Sequence, residues 1–144
     1  MQVNDQIVSP WLDEGICRYA EYLYWDEYAK EENLQYWWAT DERMKAGHEQ
    51  VVNAGKGNQP SDETDLTKSI YYWNQTNSSD YAKIYDKGAS LLYQMQRKMG
   101  KEAFLTTLKE YVQYFAYQFV TNESFQEFWN SKGDLKDLFE LYLH

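Results

Sequence analysis

The residues able to do chemistry in this chain are few. Among 144 residues there are two histidines, His48 and His144, and one cysteine, Cys17. The run Gly47-His48-Glu49-Gln50-Val51-Val52 begins like the H-E-x-x-H pattern that grips zinc. That pattern works because two imidazoles one helical turn apart point from a single face at one ion. Here Val52 stands at the second histidine position and His144 is the last residue, so the histidines present assemble no zinc site. His48 is expected as an exposed helix residue. Glu14 falls in the second turn of the first expected helix, where a glutamate is ordinarily solvated and gains from the helix dipole. Arg18 follows at i+4 as an ion-pair partner, and Glu21 lies two turns along the same face. Tyr85, taken alone, reads as a packing residue. Gly88, one turn further on, is costly inside a helix unless another backbone approaches closely. Cys17 is expected to be a small buried apolar residue, and a single cysteine excludes an internal disulfide.

The elements that would carry these residues are helical. Residues before Ser9 lack periodicity and are expected to run extended. Ser9-Pro10 is a helix start, with Ser as N-cap and Pro at the first helical position. Leu12, Ile16, Ala20 and Leu23 then recur at helical spacing to about Tyr28. A second helix is expected from about Leu34 to Val52, anchored by Trp37 and Trp38. Residues 53–79 are rich in loop formers, with one turn of helix possible near Asp62 to Lys68. Within them the run Ile70-Tyr71-Tyr72-Trp73 is the part expected to pack down. A third helix spans about Asp80 to Met99, with Ser79 a candidate cap, and stops at Gly100. A fourth runs from Lys101 to about Tyr117 with Phe104, Leu108, Val112 and Phe115 on one face. Thr121 caps a fifth, ended by Gly133, and Asp134 caps a sixth carrying Leu135, Leu138, Phe139 and Tyr142. No strand pattern of length competes and no internal repeat occurs. The expected class is all-α, a single helical subdomain over 1–144.

Composition narrows the function classes. The formal net charge is −9 and the pI near 4.7. A nucleic-acid binder needs a basic stripe, and none is present; anionic membranes are disfavoured for the same reason. An acidic surface suits cationic ligands such as peptide N-termini, and solubility accounts for it equally well. Aromatic residues make up 18% of the chain, which points to a broad interface or pocket wall, or to a Tyr-rich bundle with its hydroxyls outward. No run of eighteen apolar residues is present, so no transmembrane segment is expected. The first residues lack the basic and apolar regions of a signal peptide. The sequons at Asn74, Asn77 and Asn122 carry little weight in an Asn- and Ser-rich sequence.

Two short stretches carry a family resemblance: Trp11-Leu12-Asp13-Glu14-Gly15, continuing through Ile16, Tyr19 and Glu21, and Tyr85-Asp86-Lys87-Gly88-Ala89. With Tyr81, Ile84, Leu92, Gly100 and Phe104 they resemble the zinc aminopeptidases of the gluzincin class, the aminopeptidase N and leukotriene-hydrolase family. Asn4-Asp5-Gln6 resembles the run that precedes W-L-D-E-G in a bacterial branch of that family. Asp13 stands where members often carry Asn. The resemblance extends from Asn4 to about Leu143 and is weakest across residues 41–75.

The resemblance implies the helical half of a thermolysin-like peptidase catalytic domain, about six helices, and removal of N-terminal residues from peptide substrates. It implies that Glu14 is the third zinc ligand, that the Tyr85 hydroxyl donates a hydrogen bond to the oxyanion formed at the peptide carbonyl, and that Glu21 hydrogen-bonds a ligand histidine. The first two ligands would come from an H-E-x-x-H helix upstream, and no histidine precedes Glu14 here. The expectation is a truncated domain, inactive alone, with zinc in the intact parent and none in this chain. A homodimer is expected through an apolar face exposed by truncation, around Trp11, Tyr19 and Tyr85. The general base and amine-binding residues of the family have no counterpart here. A non-catalytic helical module that binds peptide or protein remains the alternative.

Overall fold

A computed structural model of the chain describes residues 3–5, 7–32, 39–55, 65–75 and 78–144. Helix α1 (Trp11–Tyr24) crosses α4 (Ser78–Met99) in the most extensive helix interface among the described residues. Around that pair stand α2 (Asp41–Ala54), α3 (Ile70–Gln75), α5 (Lys101–Tyr114), α6 (Asn122–Asn130) and α7 (Lys136–Tyr142). The all-α expectation holds, with seven α-helices among the described residues where about six were expected. The extra one is α3, which forms within the presumed loop and buries Trp73 while Tyr71 stays exposed. A two-residue parallel pairing of β1 (Val3–Asn4) with β2 (Phe119–Val120) ties the start of the chain to the α5–α6 connection.

The inward face of α1 is rotated from the aliphatic stripe that its sequence suggests. Trp11, Leu12, Gly15, Tyr19 and Tyr22 are buried, Ile16 and Leu23 sit at the edge, and Ala20 is exposed. Tyrosine can occupy the core because its ring buries apolar area while its hydroxyl finds a partner. The Tyr19 hydroxyl donates to Gln96 Oε1, and that of Tyr22 to Asp41 Oδ1 at 3.0 Å. This rotation puts Cys17 on the outer face, exposed rather than buried. Nearby carboxylates and partial burial raise its thiol pKa: desolvation first, then Asp13, Glu14 and Glu21.

Several helix ends differ from expectation. Ser9 does not cap α1: Pro10 is the N-cap residue, without a side-chain cap bond, and the Ser9 hydroxyl accepts from Asn122 Nδ2 at 3.0 Å. A tertiary bond to α6 has displaced the local one. Residues before Ser9 turn at Asp5, whose Oδ1 accepts from the Ile7 and Val8 amides. Helix α1 passes at Trp25–Ala29 into a π-helical turn. Lys101 Nζ, at the start of α5, holds that turn through Asp26 at 2.7 Å and Glu27 at 2.6 Å. Helix α2 starts at Asp41 behind a Thr40 cap, not near Leu34; Leu34, Trp37 and Trp38 lie outside the described residues. Helix α5 ends at Tyr114, with Tyr117 left-handed at φ 61°. Helix α7 begins after Leu135, and Asp134 is not its cap. Helix α4 begins at Ser78, so Ser79 lies inside it and is not its cap, and α6 ends at Asn130, before Gly133. Gly100 and Thr121 stand where the sequence puts them. Gly100, at φ 87°, separates α4 from α5. Thr121 and Ser124 form a reciprocal capping box at the start of α6, which gives two otherwise unpaired amides a partner.

Among the described residues twelve aromatic side chains are buried, while Tyr24, Tyr28, Tyr71, Tyr114, Tyr117 and Phe119 are exposed. Phe104, Tyr111, Phe125 and Trp129 from α5 and α6 form one cluster; Phe104 and Trp129 stack at 5.2 Å, and Tyr111 meets Phe125 edge-on at 5.6 Å. On α5 the inward side is Phe104, Thr107, Tyr111 and Phe115, leaving Val112 exposed.

Candidate active site

The two motif-bearing helices meet at glycine. A Cβ built on Gly15 would fall 2.9 Å from the Gly88 Cα, and one built on Gly88 would fall 2.7 Å from the Gly15 Cα. Neither helix has room for a methyl group there, so α1 and α4 touch backbone to backbone. The close approach that Gly88 suggested in the sequence is therefore made by Gly15, the last residue of Trp11-Leu12-Asp13-Glu14-Gly15.

Trp11 anchors the same end of α1. It is fully buried, its indole N–H donates to Asn122 Oδ1 at 2.7 Å, and its ring meets Phe125 edge-on at 4.9 Å. Trp11 and Tyr19 thus belong to the core, which corrects the expectation that they form an exposed apolar face. Tyr85 is half-buried.

Glu14 is half-buried in the first turn of α1, not the second, adjacent to the glycine contact, and Tyr85 lies one turn before Gly88 on α4. Between these helices sits Arg18. Its guanidinium carbon is 5.6 Å from the centroid of the Tyr85 ring, a cation–π arrangement. Its Nη1 donates to Glu21 Oε2 at 2.9 Å, and its Nε, buried without a hydrogen bond among the described residues, lies 3.8 Å from Asp86 Oδ1. Asp86 Oδ2 in turn accepts from Arg43 Nη2 at 2.7 Å. Sequence spacing offered Arg18 as a partner for Glu14. The folded chain places it against Glu21, Asp86 and Tyr85, contacts that only the α1–α4 crossing could reveal.

As a metal site the arrangement is partial. Glu14 is chemically suited to be one oxygen ligand, but zinc sites take three or four protein ligands. Among the described residues no group of three His, Cys, Asp or Glu side chains could hold an ion.

Gly47 and His48 have structural work instead. A Cβ on Gly47 would come 2.1 Å from Ser90 Oγ, whose hydroxyl donates to the Met44 carbonyl at 3.0 Å, so Gly47 lets α2 lie close on α4. His48 is half-buried rather than exposed, stacked on the Tyr142 ring of α7.

Residues 4–142 match the peptidase family M1 domain, a span that includes both motifs and the whole helical assembly. No curated protein and no solved structure matches the chain. With 139 of its 144 residues inside that match, the chain belongs to peptidase family M1.

Proposed function

We propose that these 144 residues are the helical part of an aminopeptidase catalytic domain of the gluzincin class, with Glu14 as one zinc ligand and Tyr85 as the hydrogen-bond donor to the substrate carbonyl. Family M1 is zinc-dependent, and a peptidase parent follows from membership. The observation that carries the finer reading is the Gly15–Gly88 contact, because it packs the two motifs against one another. Ordinary amphipathic packing makes no demand that a carboxylate beside one glycine and a phenol one turn from the other share a crossing.

In this reading Glu14 joins the two histidines of an H-E-x-x-H segment, and Glu21 orients one of those imidazoles. Zinc supplies a Lewis acid and lowers the pKa of water. Tyr85 donates its O–H to the carbonyl oxygen as negative charge grows there, a bond worth most in the transition state. The α1–α4 crossing keeps both side chains on rigid elements. Without the two histidines the chain is inactive on its own.

The experiment supplies an H-E-x-x-H segment ahead of Val3 and assays hydrolysis of aminoacyl anilides with and without chelator. Chelator-sensitive activity that Glu14→Ala abolishes supports the reading. Peptide binding without turnover in the same protein, insensitive to Glu14→Ala and Tyr85→Phe, replaces it with a non-catalytic binding module.

A further inference from the structure

Charged side chains also converge away from the α1–α4 site, in a groove of about 580 Å³ between α2, α4 and α7. Lys45, His48 and Glu49 line it from α2, Arg97 and Lys98 from α4, and Leu138 from α7. Three cations and one carboxylate make its lining positive, in a chain where Asp and Glu outnumber Lys and Arg by 23 to 14.

With acids in such excess, several cations elsewhere hold a close carboxylate: Lys30, Arg43, Lys101 and Lys132 each have one within 2.9 Å, while Lys68 and Lys136 have one at 3.7 Å. Among the described residues, the groove gathers three cations without a close carboxylate into one hollow. Lys45 has no carboxylate partner among the described residues, although Glu49 stands at i+4. Among the described residues Arg97 has only the Tyr93 ring, 5.9 Å from its centroid. Lys98 has Asp137 at 3.7 Å, a carboxylate 84% exposed to water. The dipole at the C-terminal end of α4 favours cations at Arg97 and Lys98, yet it accounts neither for Lys45 on another helix nor for the missing carboxylates.

His48 adds an oriented neutral donor. Its ring lies nearly parallel to that of Tyr142, at 13°, with Nδ1 2.8 Å from the phenol oxygen. Tyr142 is fully buried, and burial holds its phenol protonated. A buried hydroxyl whose one partner among the described residues is this nitrogen satisfies its proton only by donating to it. Nδ1 is then the acceptor and the ring's own proton sits on Nε2. Burial, and then the charge of Arg97, keep that ring neutral.

We propose that this groove binds an oxyanion, the phosphate or carboxylate group of a small molecule, held by Lys45, Arg97 and Lys98 with the His48 Nε2–H as a fourth donor. The planar guanidinium of Arg97 can take two oxygens at once, and the two lysines add charge without fixed geometry. All three cationic side chains are exposed and free to close on a ligand. Leu138 offers an apolar surface to the rest of the molecule. The site is independent of Glu14 and Tyr85.

The test is an amide NMR titration of this chain at neutral pH and constant ionic strength. Inorganic phosphate is added in one arm, acetate in a second, and chloride in a control. The proposal expects saturable shifts centred on residues 45–49 and 94–98, absent with chloride. Saturation by phosphate alone assigns a phosphoryl ligand; saturation by acetate as well admits a carboxylate. Arg97→Gln should weaken the affinity about tenfold and Arg97→Lys by less, since one charge-assisted contact is lost or loosened. Lys109→Gln, on α5 outside the groove, should leave it unchanged. Shifts that rise linearly with every anion, or that are identical in Arg97→Gln with unaltered melting, overturn the proposal. A His48 nitrogen spectrum showing the proton on Nδ1 overturns the part assigned to His48.

Discussion

Gly15 of α1 and Gly88 of α4 occupy the same point in the fold, each leaving the other's Cα less than 3.0 Å from where a side chain would begin. This contact sets the distance between the two helices on which Glu14 and Tyr85 are carried.

An alanine at either position must push backbone against backbone, and a helix cannot yield there as a side-chain tip could. Gly88→Ala and Gly15→Ala are each expected to destabilise by about 2 kcal/mol or more, the range of overpacking in a tight core. Gly133→Ala, whose methyl would meet the flexible Met99 side chain at 3.6 Å as its nearest neighbour, should stay within about 0.5 kcal/mol. Urea denaturation of the three variants checks the order.

The Tyr19 hydroxyl satisfies the buried amide oxygen of Gln96. Tyr19→Phe keeps the ring and strands that acceptor, so a loss of about 1–3 kcal/mol is expected. Gln96→Leu in the Tyr19→Phe background should recover part of it, because removing both partners leaves no orphan. A double-mutant cycle by chemical denaturation reads the coupling.

His48 predicts a pH dependence. The imidazole is flanked by Lys45 and Glu49 on α2, Arg97 and Lys98 on α4, and Tyr142 on α7. Burial, then Arg97, hold its folded pKa below the ordinary 6.5, with Glu49 opposing weakly. The unfolded chain therefore takes up a proton first as pH falls. The contribution of the neutral ring is complete above about pH 6.5 and declines below it, towards the depressed folded pKa. Stability measured between pH 8 and pH 5 should show this decline, and His48→Gln should flatten it.

How far the sequence could be read depended on the kind of signal. Punctuation was legible: Thr121 before α6 and Gly100 between α4 and α5 act through their own backbone geometry and need no tertiary context. Core faces were less so, because apolar periodicity counts leucine and alanine but not a tyrosine whose hydroxyl will find Gln96 or Asp41. That is why Ala20 lies outside and Tyr22 inside, and why Cys17 and His48 exchanged their expected environments. Caps failed where a long-range bond was available, as Ser9 shows by bonding Asn122 instead of its own helix. Within the candidate site, Gly88 carried a readable demand for a close backbone. Arg18 did not announce its place over Tyr85, since that contact joins residues 67 positions apart through the crossing of two helices.

The central claim is that Glu14 holds metal while Tyr85 serves the chemical step, and one set of measurements separates those roles. In protein carrying an H-E-x-x-H segment ahead of Val3, bound zinc and kcat are measured for Glu14→Gln and Tyr85→Phe against the unmutated chain. Glu14→Gln should lose stoichiometric zinc, and with it activity. Tyr85→Phe should keep zinc and melting temperature while kcat falls about 100-fold or more, as removal of an oxyanion donor does. Full zinc retention in Glu14→Gln, or an unchanged kcat in Tyr85→Phe, would contradict the account.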